Sequence, residues 1–366
     1  MKISAAIQLL EQLAPPSLQE SYDNSGTLCG DVNAEITGAL LSLDCIESVV
    51  EEAINRNCNM IIAHHPILFT GLKSITGKNY VERTLLKAIK NDIVIYAIHT
   101  NLDNVFDGVN KMIARQLKLE DLRILAPKSG LIKKLNTFVP IDKLDKVRQA
   151  LFDAGAGHIG NYDHCSFQVE GSGTFRALEG SNPYVGNVGV EHSEKEAQLE
   201  VIFSDYQQNA IIQALGQNHP YETVAYDIHS LDNKHQEVGS GMIGSLSEPM
   251  DEKEFLRFVS SSFASPVIRH TKLRGKAIQN VALCGGSGSF LLNQAMQNQA
   301  DAFITGDFKY HEFFDADQNI VVLDIGHFES EQFTPQLILE YLEEKNVTFA
   351  VLLSQVKTNP VHYFIQ

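Results

Sequence analysis

Met60-Ile61-Ile62-Ala63-His64-His65-Pro66 and Ile93-Val94-Ile95-Tyr96-Ala97-Ile98-His99-Thr100-Asn101-Leu102-Asp103 are the stretches whose reading decides the fold. Each begins as a short apolar run, the length of a strand buried on both faces, and ends in polar side chains able to ligate a metal. Between them, residues 80–90 place apolar side chains at helical spacing. Upstream, residues 36–45 (ITGALLSLDC) read as another strand and 46–56 as a helix. Strands alternating with amphipathic helices predict an α/β layered fold, with ligands bound outside the carboxyl ends of the strands.

The same grammar returns near the C-terminus. Residues 281–284 run into Gly285-Gly286-Ser287-Gly288-Ser289 and a helix at 290–297, and 302–304 run into Thr305-Gly306-Asp307 and a further helix. Residues 320–323 lead to Asp324-Ile325-Gly326-His327-Phe328-Glu329-Ser330-Glu331, then to a helix at about 335–344 with Pro335 in its first turn. The middle differs: strands at 135–140, 165–170, 197–203 and 223–228 alternate with helices at 141–154 and 207–217 in the order β-α-β-β-α-β, a ferredoxin-like unit. The expected organisation is a metal-binding core from 1–126 and 247–366, its halves sharing one sheet, interrupted by an inserted α+β domain at 127–246.

The chain has 366 residues, 44% hydrophobic and 20% charged, which suits a soluble protein of two or three domains. No apolar run reaches the roughly 18–20 residues of a membrane span, and Met1-Lys2-Ile3-Ser4 does not open a secretory leader. The five cysteines, Cys29, Cys45, Cys58, Cys165 and Cys284, form no CxxC pair, so reduced thiols and a cytoplasmic location are expected. A formal net charge of −16 disfavours general nucleic-acid binding. It leaves room for a small anionic substrate, because a metal centre inverts the local potential.

His64, His65, Asp103, His327 and Glu331 all follow predicted strands, so the layout can gather them in one crevice. A lone His-His pair is more often incidental than functional. Here three strand ends supply three imidazoles and two carboxylates, a set that suits zinc, manganese or iron and is too rich in nitrogen for a calcium cage. A carboxylate shared between two divalent ions would offset their repulsion, and Glu331, read as lying at a helix start, is the candidate bridge. Such a centre would make hydroxide available near neutral pH. His99 reads either as an acid–base group beside the site or as a histidine packed at a strand end; Asp307 and His311 share the ambiguity. The Gly285–Ser289 stretch reads as a phosphate cradle or as a tight connecting loop, and Lys73 and Lys309 as anion-binding or merely solvated.

Tyr22-Asp23-Asn24-Ser25-Gly26, His64-His65-Pro66, His99 to Asp103, Thr305-Gly306-Asp307 and Gly326-His327 with Glu331, in this order, resemble the GTP cyclohydrolase type 2 homologues, the Nif-three-like family. The resemblance covers both outer segments. It implies a Nif-three-like layered core and two divalent ions per chain, zinc first among them, on His64, His65, Asp103, His327 and Glu331. It also implies a homohexamer and, from the family's name, hydrolytic opening of a purine nucleotide such as GTP. The middle module resembles PII-like and CutA-like domains, with His219-Pro220-Tyr221-Glu222 as its local match. Tyr22 stands where the family often has tryptophan, which is expected to be a packing change. A non-catalytic metal-binding or regulatory assembly using the insert and a metal-dependent phosphoesterase are the alternative readings.

Overall fold

The computed structural model of the protein describes residues 1–364, in two compact units: Met1–Pro127 with the chain from Glu237 onward, and Lys128–Gln236. The first unit contains two sheets rather than the single shared sheet expected from the sequence. The first has the strand order Gly26–Cys29, Val94–Ala97, Met60–Ala63, Gly38–Ser42, Ala350–Leu353, all neighbours parallel except the antiparallel first pair. The second has the order Arg269–His270, Val321–Asp324, Ala302–Gly306, Ile278–Ser287, Lys234–Met250, Glu120–Ser129. Its three central strands from Ile278 to Asp324 are parallel.

The strands Met60–Ala63 and Val94–Ala97 are short and apolar because they are covered on both faces. All four residues of Met60–Ala63 and all four of Val94–Ala97 are buried. Leu40, Ile61 and Ile95 meet Val49 and Val50 of helix Glu47–Asn55 and Leu85 of helix Tyr80–Lys90 in one core cluster. Burial of each such side chain contributes about 1.5–3 kcal/mol. The Asn79 side chain accepts from the Glu82 amide and starts the second helix, while Lys87 and Lys90 favour its last turn. In the second sheet Ala282, Phe303 and Val322 pack with Leu292, Ala295 and Phe308. The helix expected after Asp307 is instead a 3-10 segment, Tyr310–Ala316.

The second unit is a four-stranded antiparallel sheet in the order Ser166–Arg176, Glu191–Ser204, Ile132–Pro140, Tyr226–Leu231. Numbered along the unit this is 2-3-1-4, the ferredoxin-like order. Helices Leu144–Asp153 and Gln208–Asn218 place Val147, Leu151, Ile211 and Leu215 against Leu135, Val139 and Leu199. The unit ends at Gln236, ten residues before the sequence-based boundary at 246, because strand Lys234–Met250 continues as a core strand that pairs Met242–Ser245 with Leu283–Asn280. Among the described residues no helix is long and apolar enough to cross a membrane.

Candidate metal centre

Parallel pairing of Ala63 with Ala97 brings the ends of two neighbouring strands level, so His64 and His99 leave the first sheet side by side. Their rings lie 5.2 Å apart between centroids, and His65 lies 5.0 Å from His64 and 5.4 Å from His99. Asp103 follows on the four-residue helix Thr100–Asp103. From the second sheet, Val321–Asp324 delivers the short helix His327–Glu331, whose i,i+4 spacing sets both its ligand residues on one face. Glu331 thus closes a five-residue helix and does not open one, as the sequence had suggested.

All five predicted ligand residues converge. Glu331 Oε2 lies 3.0 Å from His65 Nε2 and 3.1 Å from His327 Nε2. Its Oε1 lies 3.9 Å from His64 Nε2, which in turn is 3.6 Å from Asp103 Oδ1. Two groups able to hold a metal ion share this one carboxylate: His65 with His327 and Glu331, and His64 with Asp103 and Glu331. A third grouping joins His64, His65 and His99.

Each imidazole is aimed by what its other nitrogen does. His64 Nδ1 donates to the Ile98 carbonyl at 2.8 Å, His65 Nδ1 to Asp44 Oδ1 at 2.8 Å, and His327 Nδ1 to Asp307 Oδ2 at 2.7 Å. Carbonyls and carboxylates only accept, so Nδ1 carries the proton and Nε2 turns into the cleft, as ligating histidines require. Among the described residues His64 Nε2 and Asp103 Oδ1 are buried without a hydrogen-bond partner. Two orphaned atoms 3.6 Å apart would each cost about 1–3 kcal/mol unless something between them takes up their lone pairs. A divalent cation fits that donor pair.

The electrostatics agree. Burial pushes the His64 imidazole down to about 4, so it is neutral and can ligate. Burial raises the Asp103 carboxyl well above its usual range, and the Glu331 charge adds to this. For Glu331 burial opposes ionisation, but hydrogen bonds from imidazoles, His327 first, hold it well below the usual carboxylate range. Burial alone would depress His65 and His327; the Asp44 and Glu331 carboxylates hold the first up at about 10, and Glu331 with Asp307 holds the second at about 9. Both must release a proton to ligate a cation.

Several roles were not legible in advance. Asp23, whose side chain is fully buried, accepts from His99 Nδ1 at 2.8 Å and from the Thr100 amide at 3.0 Å. Burial works against its charge, yet these bonds keep its carboxyl well below the usual range. Asp44 was missed because it lies just past the strand Gly38–Ser42 with no periodic signal; its only cue was an acidic residue at a strand end. Gly285, Gly286 and Ser287 finish the strand Ile278–Ser287 in place of a loop, and the amides of Gly285, Gly286 and Gly288 are committed to Asn110 Oδ1, Ser330 Oγ and Thr305 Oγ1 and not to a phosphate. Gly286, at φ +58°, is needed for space, since a Cβ there would sit 2.5 Å from Glu331 Oε1. His311 packs against Tyr310 and Phe314 outside the cluster. Lys73 and Lys309 are absent from the cleft lining, where Arg269 and Lys357 supply the positive charge. Tyr22 lies on that lining, 71% exposed. The cleft, about 1300 Å³, is also lined by Phe69, Tyr80 and Phe290.

A family model described as "Duf34/NIF3 (NGG1p interacting factor 3)" matches residues 1–360. A Halalkalibacterium halodurans protein named "GTP cyclohydrolase 1 type 2 homolog" is 40% identical, over 98% of this chain and 99% of its own. A Bacillus subtilis protein of the same name is 36% identical over 97% and 96%. The structure of a Bacillus cereus protein related to NIF3 superposes with a TM-score of 0.88 at 37% identity, covering 100% of this chain and 99% of the other.

Proposed function

This chain belongs to the Duf34/NIF3 family, and from that premise we propose that it is a metal-dependent hydrolase with a dinuclear centre acting on a purine nucleotide such as GTP. His64 and Asp103 would hold one ion, His65 and His327 the other, and Glu331 would bridge them; zinc suits the donor set, and manganese or iron would also be accepted. The observation that carries this reading is the division of the Glu331 carboxylate, with Oε1 facing the orphaned His64–Asp103 pair and Oε2 the two remaining imidazoles. When bound, divalent ions there would supply Lewis acidity and acidify water near an electrophilic carbon or phosphorus.

The chain's own residues do the rest. Asp23 fixes the His99 tautomer and points Nε2 into the cleft, where it can take up or deliver a proton. Tyr22, Phe69 and Phe290 offer ring faces to a planar base, and Arg269 and Lys357 offer charge to its phosphates. The homohexamer implied by the resemblance and the cytoplasmic residence expected from the unpaired cysteines belong to the same proposal and are read by sedimentation and by fractionation of cells.

The test is elemental analysis of the protein purified without added metal, followed by incubation with GTP. Two ions per chain and release of formate, lost in His64→Ala and Glu331→Ala, support the proposal. Release of inorganic phosphate in place of formate would assign a phosphoesterase. Two ions without turnover of any nucleotide would leave a metal-binding assembly, and no bound metal would overturn the centre itself.

A further inference from the structure

A second cavity, of about 860 Å³, lies wholly within the unit Lys128–Gln236. Part of its wall is aromatic. The Tyr221 ring lies 6.2 Å from Phe175 and 6.3 Å from Tyr184, and all three line the space. A carboxylate lies among them: Glu196 is only 8% exposed, and its Oε1 accepts from the Tyr221 hydroxyl at 2.6 Å. Oε2 lies over Gly173 of the neighbouring strand, where a Cβ would come within 2.1 Å of it, so the absence of a side chain at 173 is what makes room for this carboxylate.

A carboxylate this buried ordinarily has a cationic partner or several donors. Among the described residues no lysine or arginine pairs with Glu196, and the Tyr221 hydroxyl is its hydrogen-bond partner. His219, beside Tyr221, does not serve. His219 Nδ1 accepts from the Tyr221 amide at 3.1 Å and Nε2 donates to the Phe138 carbonyl at 3.0 Å, an arrangement that fixes the neutral ring. Burial also holds its proton affinity down. Glu196 thus sits beside aromatic rings with no ion-pair partner among the described residues; Arg176 also lines the cavity but forms no ion pair with it.

We propose that this cavity is a binding site for a small organic ammonium ion, with Glu196 as the anchor for the charge and Phe175, Tyr184 and Tyr221 as the faces that receive it. The ammonium group donates to Glu196 Oε2 and its carbon skeleton stacks on the rings. The site does not depend on the metal centre, and its test is separable from that of the hydrolase.

Ligand-observed NMR on the full chain decides it, with benzylammonium, benzyl alcohol and benzoate as probes of the same shape and different charge. Saturable binding of benzylammonium with a Kd of about 1 mM or tighter is expected, with benzyl alcohol and benzoate weaker by about tenfold or more. Glu196→Gln keeps the shape and the Tyr221 bond but removes the charge, and lowers benzylammonium affinity about tenfold while metal content stays unchanged. Should that variant unfold, Phe175→Leu decides instead, with an expected loss of about threefold. Equal binding of the three probes, preference for benzoate, no saturable binding of benzylammonium, or unchanged affinity in a folded Glu196→Gln protein would each overturn the proposal.

Discussion

Replacing Gly286 by alanine tests whether Glu331 is held by crowding at its back as well as by its hydrogen bonds. The added methyl would lie 2.5 Å from Glu331 Oε1 and 3.2 Å from His327 Cε1. The carboxylate must retreat by several tenths of an ångström, toward imidazoles already 3.0 and 3.1 Å away. Two costs combine. The left-handed backbone, at φ +58°, costs an alanine about 1–2 kcal/mol. Distorting one or both charge-assisted bonds adds about 1.5–3 kcal/mol. The total is about 2.5–5 kcal/mol. Gly275→Ala is the matched control: its φ is +74° and a Cβ there meets nothing within 4 Å, so only the backbone cost of about 1–2 kcal/mol applies. Thermal melts and metal content measured side by side separate the two. Gly286→Ala should melt lower than Gly275→Ala and retain less metal after dialysis. If the variants melt together and both keep their metal, Gly286 is not what seats Glu331 and the packing argument fails.

Asp44→Asn keeps an acceptor for His65 Nδ1 but removes the charge behind it, and should weaken metal affinity about 10–100-fold in chelator competition with little change in melting temperature. Glu52 accepts from Ser354, Gln355 and Arg56, and although burial opposes its charge these bonds hold its carboxyl below the usual value. Its contribution is therefore present above the unfolded pKa of 4.5 and lost as pH falls below it. Glu52→Gln should cost about 1–3 kcal/mol at neutral pH in urea unfolding, a difference that closes in acid; a gap that persisted in acid would refute the assignment. Strands Glu120–Ser129 and Lys234–Met250 are neighbours in one sheet, so replacing residues 128–236 by a turn of about 3 residues should leave the metal content of the core intact. Loss of metal on that deletion would show that the core depends on the inserted unit.

What was legible in the sequence was what period and position encode. Short apolar runs leading to His64, His99 and Asp324 announced buried strands with chemistry at their carboxyl ends, and the structure has them. The order of strands was not legible, because an apolar run buried on both faces carries no mark of its neighbour. Nothing in Ala350–Leu353 says that it pairs with Gly38–Ser42, so the second sheet escaped notice. The ligand residues were visible because imidazoles and carboxylates stood out at strand ends. Asp23 and Asp44, which aim His99 and His65, were not, since one acidic residue in a loop looks like any other until its partner is placed. The insert boundary slipped for a related reason: a strand that starts in one unit and finishes in another has a single continuous pattern.

The pairing of Ala350–Leu353 with Gly38–Ser42 bears on how the molecule is made. A ribosome that has released the first hundred residues has delivered four strands of the first sheet, but the fifth, Ala350–Leu353, follows only near the end of the chain. Until it arrives, the Gly38–Ser42 edge is an open template for pairing with the wrong chain. His65 likewise waits for Glu331, 266 residues later. Completion of this unit is therefore an event that follows synthesis of nearly the whole polypeptide. A fragment that ended after the insert would keep that edge unpaired and is expected to aggregate, in place of forming a smaller working protein.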